Sequence, residues 1–267
     1  MSVSGGNLKA GVIGTGSLGK NHARLYCSSD RIGQVFVHDT VAERARKVGG
    51  EFGAEVCSGV DELLSAVDIV SVCTPATDHH GTVMKAFEAG VHVLVEKPLA
   101  SSSREGGEMV AEASKRGLRL QVGHIERFNG TFRALRSLLK TPLYSESHRL
   151  GTFSPRGTDV SVVVDLMIHD IDIVLTVLGG DELVDLRASG AGILTDSPDI
   201  VNARLEFASG CVANLTASRI SREPMRKVRF FQENMYISAD FKAREIEAYS
   251  RSENVPLETL ADDPTAF

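Results

Sequence analysis

The feature that most constrains this fold is a glycine-rich turn between an apolar run and an amphipathic run. Residues 8–13 predict a buried strand, and residues 17–28 predict a helix. The turn between them reads GTGSLG, with glycine at Gly14, Gly16 and Gly19. Without a side chain, the first position allows a tight turn, the second lets a ligand approach the backbone, and the third lets the helix pack closely on the strand. The segment therefore predicts the start of an α/β domain.

The alternation of short apolar runs with helical periodicity continues to about residue 122. Further strands are predicted at 34–38, 55–57, 68–73, 91–95 and 119–122. Helices are predicted between them at 41–49, 61–66, 79–89 and 101–116. Strands that alternate with helices are typical of a parallel, doubly wound sheet. We therefore expect an α/β domain with this sheet over residues 1–122.

Beyond this point the pattern changes to sequential strands. A helix is predicted near 131–139, a strand at 145–153 and a long apolar helix near 160–178. Strand candidates then follow with short turns, at 183–190, 200–207, 211–218, 227–232, 235–239 and 245–250. This order is typical of an antiparallel sheet. We therefore expect a second, α+β domain over residues 123–267.

A carboxylate follows the glycine-rich turn at a characteristic spacing in the sequence. Asp39 ends the second predicted strand and lies 20 residues after Gly19, which is typical of the acid that binds an adenosine ribose. The turn and this acid together predict a dinucleotide site, with the pyrophosphate on the free amides at the helix start. A carboxylate accepts hydrogen bonds from a ribose diol and repels a 2′-phosphate, which favours NAD over NADP. Arg44 is expected on a solvated helix face rather than in a phosphate clamp.

Two further segments carry candidate catalytic groups. Glu96-Lys97-Pro98 directly follows a predicted strand, at the end of the sheet where ligands bind. Taken alone, Lys97 is equally compatible with a surface residue that caps the sheet. In the long apolar helix, Asp165, His169 and Asp172 are spaced to form one polar stripe. On helical geometry alone, that stripe is equally compatible with a buried structural network. Asp170 projects into the apolar arc and has no explanation from the sequence.

Composition excludes several classes of function. The net charge of −6 disfavours a nucleic-acid partner. No apolar run reaches the ~20 residues that a membrane helix needs, and no secretory signal is evident, so a cytoplasmic location is expected. The four cysteines are far apart and form no CxxC pair, and therefore we expect neither a metal site nor disulfides.

Four motifs, in order, resemble one known family. They are Gly11 to His22 (GVIGTGSLGKNH), Cys73 to His79 (CTPATDH), Glu96-Lys97-Pro98, and Asp165 to Asp172 (DLMIHDID). The chain is similar to the glucose-fructose oxidoreductase, inositol dehydrogenase and rhizopine-catabolism (Gfo/Idh/MocA) oxidoreductases. The resemblance implies a Rossmann domain followed by an open-faced, mostly antiparallel sheet.

The resemblance also implies roles for individual residues. Lys97, Asp165 and His169 correspond to the family's catalytic lysine, aspartate and histidine, and a cis peptide is implied before Pro98. The cofactor-binding residues that it indicates are Gly14, Thr15, Gly16, Ser17, Leu18, Asp39, Cys73, Thr74, Pro75, His79, Glu96 and Lys97.

Within the family, segments 121–129, 156–172 and 211–219 resemble members that oxidise nucleotide-activated amino sugars. The nearest likeness is to UDP-N-acetylglucosamine 3-dehydrogenases. This implies a UDP-sugar substrate, with Arg127, Asn129 and Arg156 as substrate contacts beside Asp165 and His169. Arginines supply charge for a diphosphate, although each of them alone is more often a surface or ion-pair residue.

Alternatives remain open at the level of sequence. One is a dehydrogenase of a free sugar, polyol or inositol; others are a non-catalytic NAD-binding sensor and a purely structural Rossmann protein. An open sheet favours a homodimer or homotetramer. Family members usually continue past the point where this chain ends, so we expect a final strand and helix to be missing, by truncation or because this member is short.

Overall fold

The computed structural model describes residues 8–154 and 160–251. The chain forms two compact units, residues 1–123 and residues 124–267. Within the described ranges, no helix is long and apolar enough to cross a membrane. The same ranges contain no group of three or more His, Cys, Asp or Glu side chains that is placed to hold a metal ion.

The first unit is a parallel six-stranded sheet with helices between its strands. The strands are β1 (Leu8–Ile13), β2 (Ile32–His38), β3 (Glu55–Val56), β4 (Ile69–Val72), β5 (His92–Val95) and β6 (Leu120–Val122). The helices are α1 (Ser17–Cys27), α2 (Ala42–Phe52), α3 (Val60–Ala66), α4 (Ala76–Glu88) and α5 (Ser103–Arg116). The strand order is β3-β2-β1-β4-β5-β6, with every pair parallel. The predicted doubly wound sheet is confirmed, and its order reverses between β1 and β4, where such sheets bind ligands.

Apolar side chains cover both faces of this sheet. On one side Val72, Phe87 and Met109 belong to a buried cluster, and on the other Val12 and Val37 belong to a second one. Strands that are buried on both faces appear in the sequence as nearly continuous apolar runs. For this reason short apolar runs were sufficient to predict the strands.

The second unit is a mostly antiparallel seven-stranded sheet, as predicted. Its strands are β7 (Pro142–Leu150), β8 (Leu183–Ala191), β9 (Ile200–Phe207), β10 (Val212–Ser218), β11 (Met225–Gln232), β12 (Met235–Asp240) and β13 (Glu245–Ser250). The order is β13-β12-β11-β7-β10-β9-β8, and only the β7–β10 pair is parallel. Helices α6 (Gly130–Leu138) and α7 (Ile168–Leu178) complete the unit.

The two helices pack on one face of this sheet. Phe132 of α6 and Ile173 of α7 are buried in one apolar cluster with Phe230 of β11. The opposite face of β7 carries Tyr144 and Glu146, which are only partly buried. The sheet therefore has one covered face and one open face.

The predicted helix over 160–178 needs a correction. Val163–Met167 form a π-helical turn, and the α-helix α7 follows it directly at Ile168. A π turn adds about one residue to the local repeat, which hardly changes an apolar pattern, so the sequence did not reveal it. Asp165 therefore lies in the π turn and His169 in the α-helix.

Candidate functional site

The three glycines of the first turn have three different structural roles. Gly14 has a φ of +87°, and a Cβ there would lie 2.7 Å from the Cys73 carbonyl oxygen. A Cβ at Gly19 would lie 1.8 Å from the Gly14 carbonyl oxygen, so helix α1 packs on the turn only because this position lacks a side chain. A Cβ at Gly16 would meet nothing within 4 Å. Gly16 therefore leaves open space for a ligand rather than serving the fold.

Asp39 is tied to the same turn. Its Oδ2 accepts hydrogen bonds from the Thr15 amide at 2.8 Å and the Thr15 hydroxyl at 3.1 Å, and its Oδ1 accepts from the Val41 amide at 2.8 Å. Burial alone would raise the pKa of Asp39, but these bonds and the Arg44 charge outweigh it and lower the pKa. The side chain is therefore a fixed carboxylate beside the glycine turn.

A cavity of about 730 Å³ opens in front of these groups. Of the predicted cofactor residues, it is lined by Gly14, Gly16, Asp39, Cys73, Thr74 and Pro75. It is also lined by residues that the sequence analysis did not assign to the site, namely Ile13, His38, Thr40, Arg44, Val60, Thr77, Asp78, Gly81, Thr82 and Lys85. Five of these lie in α4, the helix that follows β4, and the position after a parallel strand was the signal that could have pointed to it.

Two of the predicted cofactor residues support the loops from within the protein. His79 is 1% exposed, and its ring nitrogens lie 2.8 Å from the Pro98 carbonyl oxygen and 2.9 Å from the Thr74 carbonyl oxygen. Glu96 is also buried, and its Oε1 lies 3.0 Å from His22 Nε2. Burial raises the pKa of Glu96, but the His22 hydrogen bond and the nearby positive charges outweigh it, and the net pKa is lowered.

Lys97 directly follows Glu96 at the carboxyl end of β5. The Lys97–Pro98 peptide bond is cis, as the resemblance implied. The Lys97 amide donates to Glu96 Oε2 at 3.3 Å. The carboxyl ends of β4 and β5 therefore bring the Thr74 loop and Lys97 to one edge of the parallel sheet.

In the second unit, Asp165 and His169 are both partly buried at the start of the helical segment. Asp172, the third member of the predicted stripe, is buried and binds the guanidinium of Arg127 through Nε at 2.9 Å. This arginine is a predicted substrate contact, and its guanidinium forms an ion pair with Asp172. Asn129 was another, and its Oδ1 caps α6 by accepting from the Thr131 amide at 3.0 Å. Arg156 lies outside the described residues.

Asp170, which the sequence left unexplained, has a partner. Arg149 of β7 donates to both of its carboxylate oxygens, each at 2.9 Å, and both side chains are almost fully buried. Burial raises the pKa of Asp170, and the Arg149 guanidinium opposes that rise. Arg149 therefore balances the buried charge of Asp170.

Two family descriptions match the chain. Residues 8–124 match "Oxidoreductase family, NAD-binding Rossmann fold", and residues 121–237 match the "GFO/IDH/MocA C-terminal domain". A UDP-N-acetylglucosamine 3-dehydrogenase of Acidithiobacillus ferrooxidans is 41% identical over 246 residues, which are 92% of this chain and 78% of that enzyme. The chain belongs to the Gfo/Idh/MocA oxidoreductase family. It is therefore an oxidoreductase whose first unit is an NAD-binding Rossmann domain.

Solved structures show the same fold. A structure of the A. ferrooxidans enzyme has a TM-score of 0.87 at 39% identity and covers 94% of this chain and 79% of that chain. GenD2 from gentamicin A biosynthesis, solved in complex with NAD, has a TM-score of 0.81 at 23% identity. The match covers 90% of this chain and 74% of GenD2, and it shows a shared fold. In sequence, an inositol 2-dehydrogenase of Pseudomonas savastanoi pv. phaseolicola is 35% identical over 188 residues, which are 65% of this chain and 55% of that enzyme.

Proposed function

We propose that this oxidoreductase is an NAD-dependent dehydrogenase that converts a sugar hydroxyl into a ketone. The proposed substrate is a nucleotide-activated amino sugar such as UDP-N-acetylglucosamine, oxidised at C3. The observation that carries the proposal is the 41% identity over 92% of the chain to an enzyme named for that reaction. The Pseudomonas inositol 2-dehydrogenase is less similar, at 35% identity over 65% of the chain.

The proposed catalytic residues are Lys97, Asp165 and His169. The His169 imidazole accepts the hydroxyl proton, since imidazole exchanges protons close to neutral pH. The Lys97 ammonium holds the reacting oxygen and stabilises the negative charge that develops on it. Asp165 orients the substrate or tunes His169. When bound, NAD accepts the hydride from the alcohol carbon.

We propose that the enzyme prefers NAD to NADP. Gly16 leaves space for a pyrophosphate, and the fixed Asp39 carboxylate suits the two hydroxyls of an adenosine ribose. A 2′-phosphate at that position would meet a negative charge held by Thr15 and Val41. Arg44 is exposed, as expected for a solvated helix face, and it also lines the cavity. Its charge acts on Asp39 and lowers the pKa of that carboxyl.

The proposed contacts of the UDP-sugar lie in the second unit. Arg127, Asn129 and Arg156 remain the proposed contacts of the UDP-sugar. The Arg127 side chain is 47% exposed, so it can bind a phosphate while its other edge holds Asp172. Its charge is partly balanced by Asp172, which predicts a weaker contribution than that of an unpaired arginine.

We also infer a homodimer or homotetramer that uses the open face of the second sheet. Four aromatic rings run across it, with centroids 5.7 Å apart for Tyr144 and Phe231, 5.1 Å for Phe231 and Tyr236, and 6.0 Å for Tyr236 and Tyr249. Aromatic side chains are enriched at protein interfaces. Light scattering of the purified protein measures the subunit count, and a monomer at micromolar concentration contradicts this inference.

The substrate is tested with a panel of sugars. Purified protein and NAD are incubated with UDP-N-acetylglucosamine, UDP-glucose, N-acetylglucosamine or myo-inositol, and reduced cofactor is followed by absorbance. We expect reduction with UDP-N-acetylglucosamine and little with the free sugars. Reduction with myo-inositol alone identifies a polyol dehydrogenase. NAD binding without reduction by any sugar identifies a non-catalytic sensor. Either result contradicts the proposed function.

A further inference from the structure

Two histidines of the first unit contact the residues on either side of Lys97. His22 Nε2 lies 3.0 Å from the carboxylate of Glu96, and His79 Nδ1 lies 2.8 Å from the carbonyl oxygen of Pro98. We propose that His22 and His79 are positioning residues that together fix the backbone from which the Lys97 side chain extends. This inference rests on the proposed function, because it assigns Lys97 to the reaction.

The contact through His22 has a defined hydrogen-bond direction. An ionised Glu96 only accepts hydrogen bonds, so His22 donates through its Nε2–H. His22 Nδ1 lies 3.0 Å from Ser71 Oγ, and Ser71 Oγ lies 2.7 Å from the Tyr26 hydroxyl oxygen. Burial raises the pKa of Tyr26, which keeps that hydroxyl protonated. Helix α1 is thereby linked through β4 to Glu96.

The Glu96 carboxylate has little freedom to leave this arrangement. Its Oε2 accepts from the Lys97 amide at 3.3 Å, and the Glu96 amide donates to the Val72 carbonyl oxygen at 3.0 Å. A Cβ on Gly123 would lie 3.0 Å from Oε2, so a side chain at this position would crowd the carboxylate. A carboxylate buried in this way requires its hydrogen-bond partners, which makes His22 its main support.

His79 fixes the other side of Lys97. Its two ring nitrogens face two carbonyl oxygens, of Pro98 and of Thr74, and carbonyl oxygens only accept. The ring is 1% exposed, so water does not replace either contact. Thr74 lines the cofactor cavity. His79 therefore connects the residue after Lys97 to the loop that borders the proposed NAD site.

Fixing the backbone at Lys97 matters because lysine has a long and flexible side chain. A reacting group that is misplaced by about 1 Å can lower the rate about 100-fold. Neither histidine lines the cofactor cavity, so each acts through another residue. Their loss is expected to reduce kcat while the affinity for NAD stays nearly constant.

The test uses paired variants. His22→Ala removes both side-chain bonds, whereas His22→Gln keeps a donor for Glu96 and an acceptor for Ser71. We expect kcat to fall about 10- to 100-fold in His22→Ala, with KM and the Kd for NAD within about twofold of wild type, and to recover most of its value in His22→Gln. His79→Gln, which retains a donor for only one carbonyl at a time, should also lower kcat. His80→Gln, on the neighbouring residue that pairs with Glu108, is the control and should leave kcat unchanged.

Hydrogen–deuterium exchange gives a readout that does not depend on turnover. The amides of Glu96 and Lys97 should exchange at least about tenfold faster in His22→Ala and at the wild-type rate in His22→Gln. If wild type oxidises no sugar, the proposed function fails while exchange still decides this inference. Unchanged exchange in His22→Ala overturns it, as does unchanged kcat in an active enzyme or a failure of His22→Gln to recover. If His79→Gln does not fold because this position is buried, the comparison of His22→Ala with His22→Gln decides the inference.

Discussion

Thr15 donates two hydrogen bonds to Asp39, one from its backbone amide at 2.8 Å and one from its hydroxyl at 3.1 Å. The residue inside the glycine turn thereby fixes the carboxylate at the end of β2. The turn and the carboxylate, which are the proposed pyrophosphate and ribose contacts, are therefore joined directly. We expect cofactor choice to depend on this pair of residues.

The first prediction concerns that carboxylate. Asp39→Ser removes both the acceptor for the ribose and the charge that repels a 2′-phosphate. Because a hydrogen bond to a charged group contributes about 1.5–3 kcal/mol, we expect the Kd for NAD to rise about 10- to 100-fold and the preference over NADP to shrink. Titration of both cofactors measures this. Asp30→Ser, at an exposed position, is the control, and an unchanged preference in Asp39→Ser contradicts the assignment.

The second prediction separates two glycines of the same turn. Gly16→Ala adds a methyl group that meets no protein atom within 4 Å, so the melting temperature should stay nearly constant while NAD affinity falls about tenfold or more. Gly19→Ala places its Cβ 1.8 Å from the Gly14 carbonyl oxygen, so the first unit should be strongly destabilised even without NAD. Thermal melts with and without NAD measure both effects. Equal changes in melting temperature and NAD affinity in the two variants would contradict these roles. Gly50→Ala, where a Cβ also meets no atom within 4 Å, is the control.

The third prediction concerns proton transfer. His169→Ala should lower kcat about 100- to 10,000-fold, which is the range for loss of a general base, and should leave the Kd for NAD within about twofold. Steady-state rates and cofactor titration measure the two quantities. Turnover close to the wild-type rate would remove His169 from the mechanism.

The fourth prediction is a pH dependence of stability. Asp199 is fully buried, and its Oδ2 accepts from the backbone amides of Leu194, Ile193 and Thr195 at 2.6, 2.8 and 3.0 Å. These bonds, that of Leu194 first, hold the pKa of Asp199 well below its usual range. A lowered folded-state pKa stabilises the protein above the unfolded-state pKa, about 3.9 for aspartate, and this stabilisation is lost as the pH falls towards the folded-state value.

Asp199→Asn should therefore lower the melting temperature by several degrees at pH 7, and its difference from wild type should shrink below about pH 4. Asp196→Asn, in the same loop but exposed, is the matched control and should change little. Calorimetry across this pH range gives the answer. A difference that grows as the pH falls has the wrong sign and contradicts the role of Asp199.

Local motifs explain how much of the site the sequence predicted. Gly14, Gly16, Asp39 and Lys97 each follow a strand of the parallel sheet, and a short segment contains both the strand and the functional residue. Strand periodicity and spacing were therefore enough to place them. The fold followed for the same reason, because buried parallel strands appear as short apolar runs.

Pairs that are distant in the sequence were not predicted. Asp170 had no explanation until Arg149, 21 residues earlier, was found beside it, and His22 contacts Glu96 across 74 residues. No local pattern encodes such a contact, because it arises only when two elements pack. The π turn at Val163–Met167 was missed because it barely disturbs the apolar periodicity.

The proposed reaction removes hydride from C3 of a UDP-linked amino sugar. The direct test uses UDP-N-acetylglucosamine that carries deuterium at C3, with purified protein and NAD, and mass spectrometry of the reduced cofactor. We predict that reduced NAD carries the deuterium and that the sugar product is a C3 ketone. Reduced NAD without deuterium contradicts the proposed function. So does a preparation that oxidises myo-inositol but reduces no NAD with the UDP-sugar.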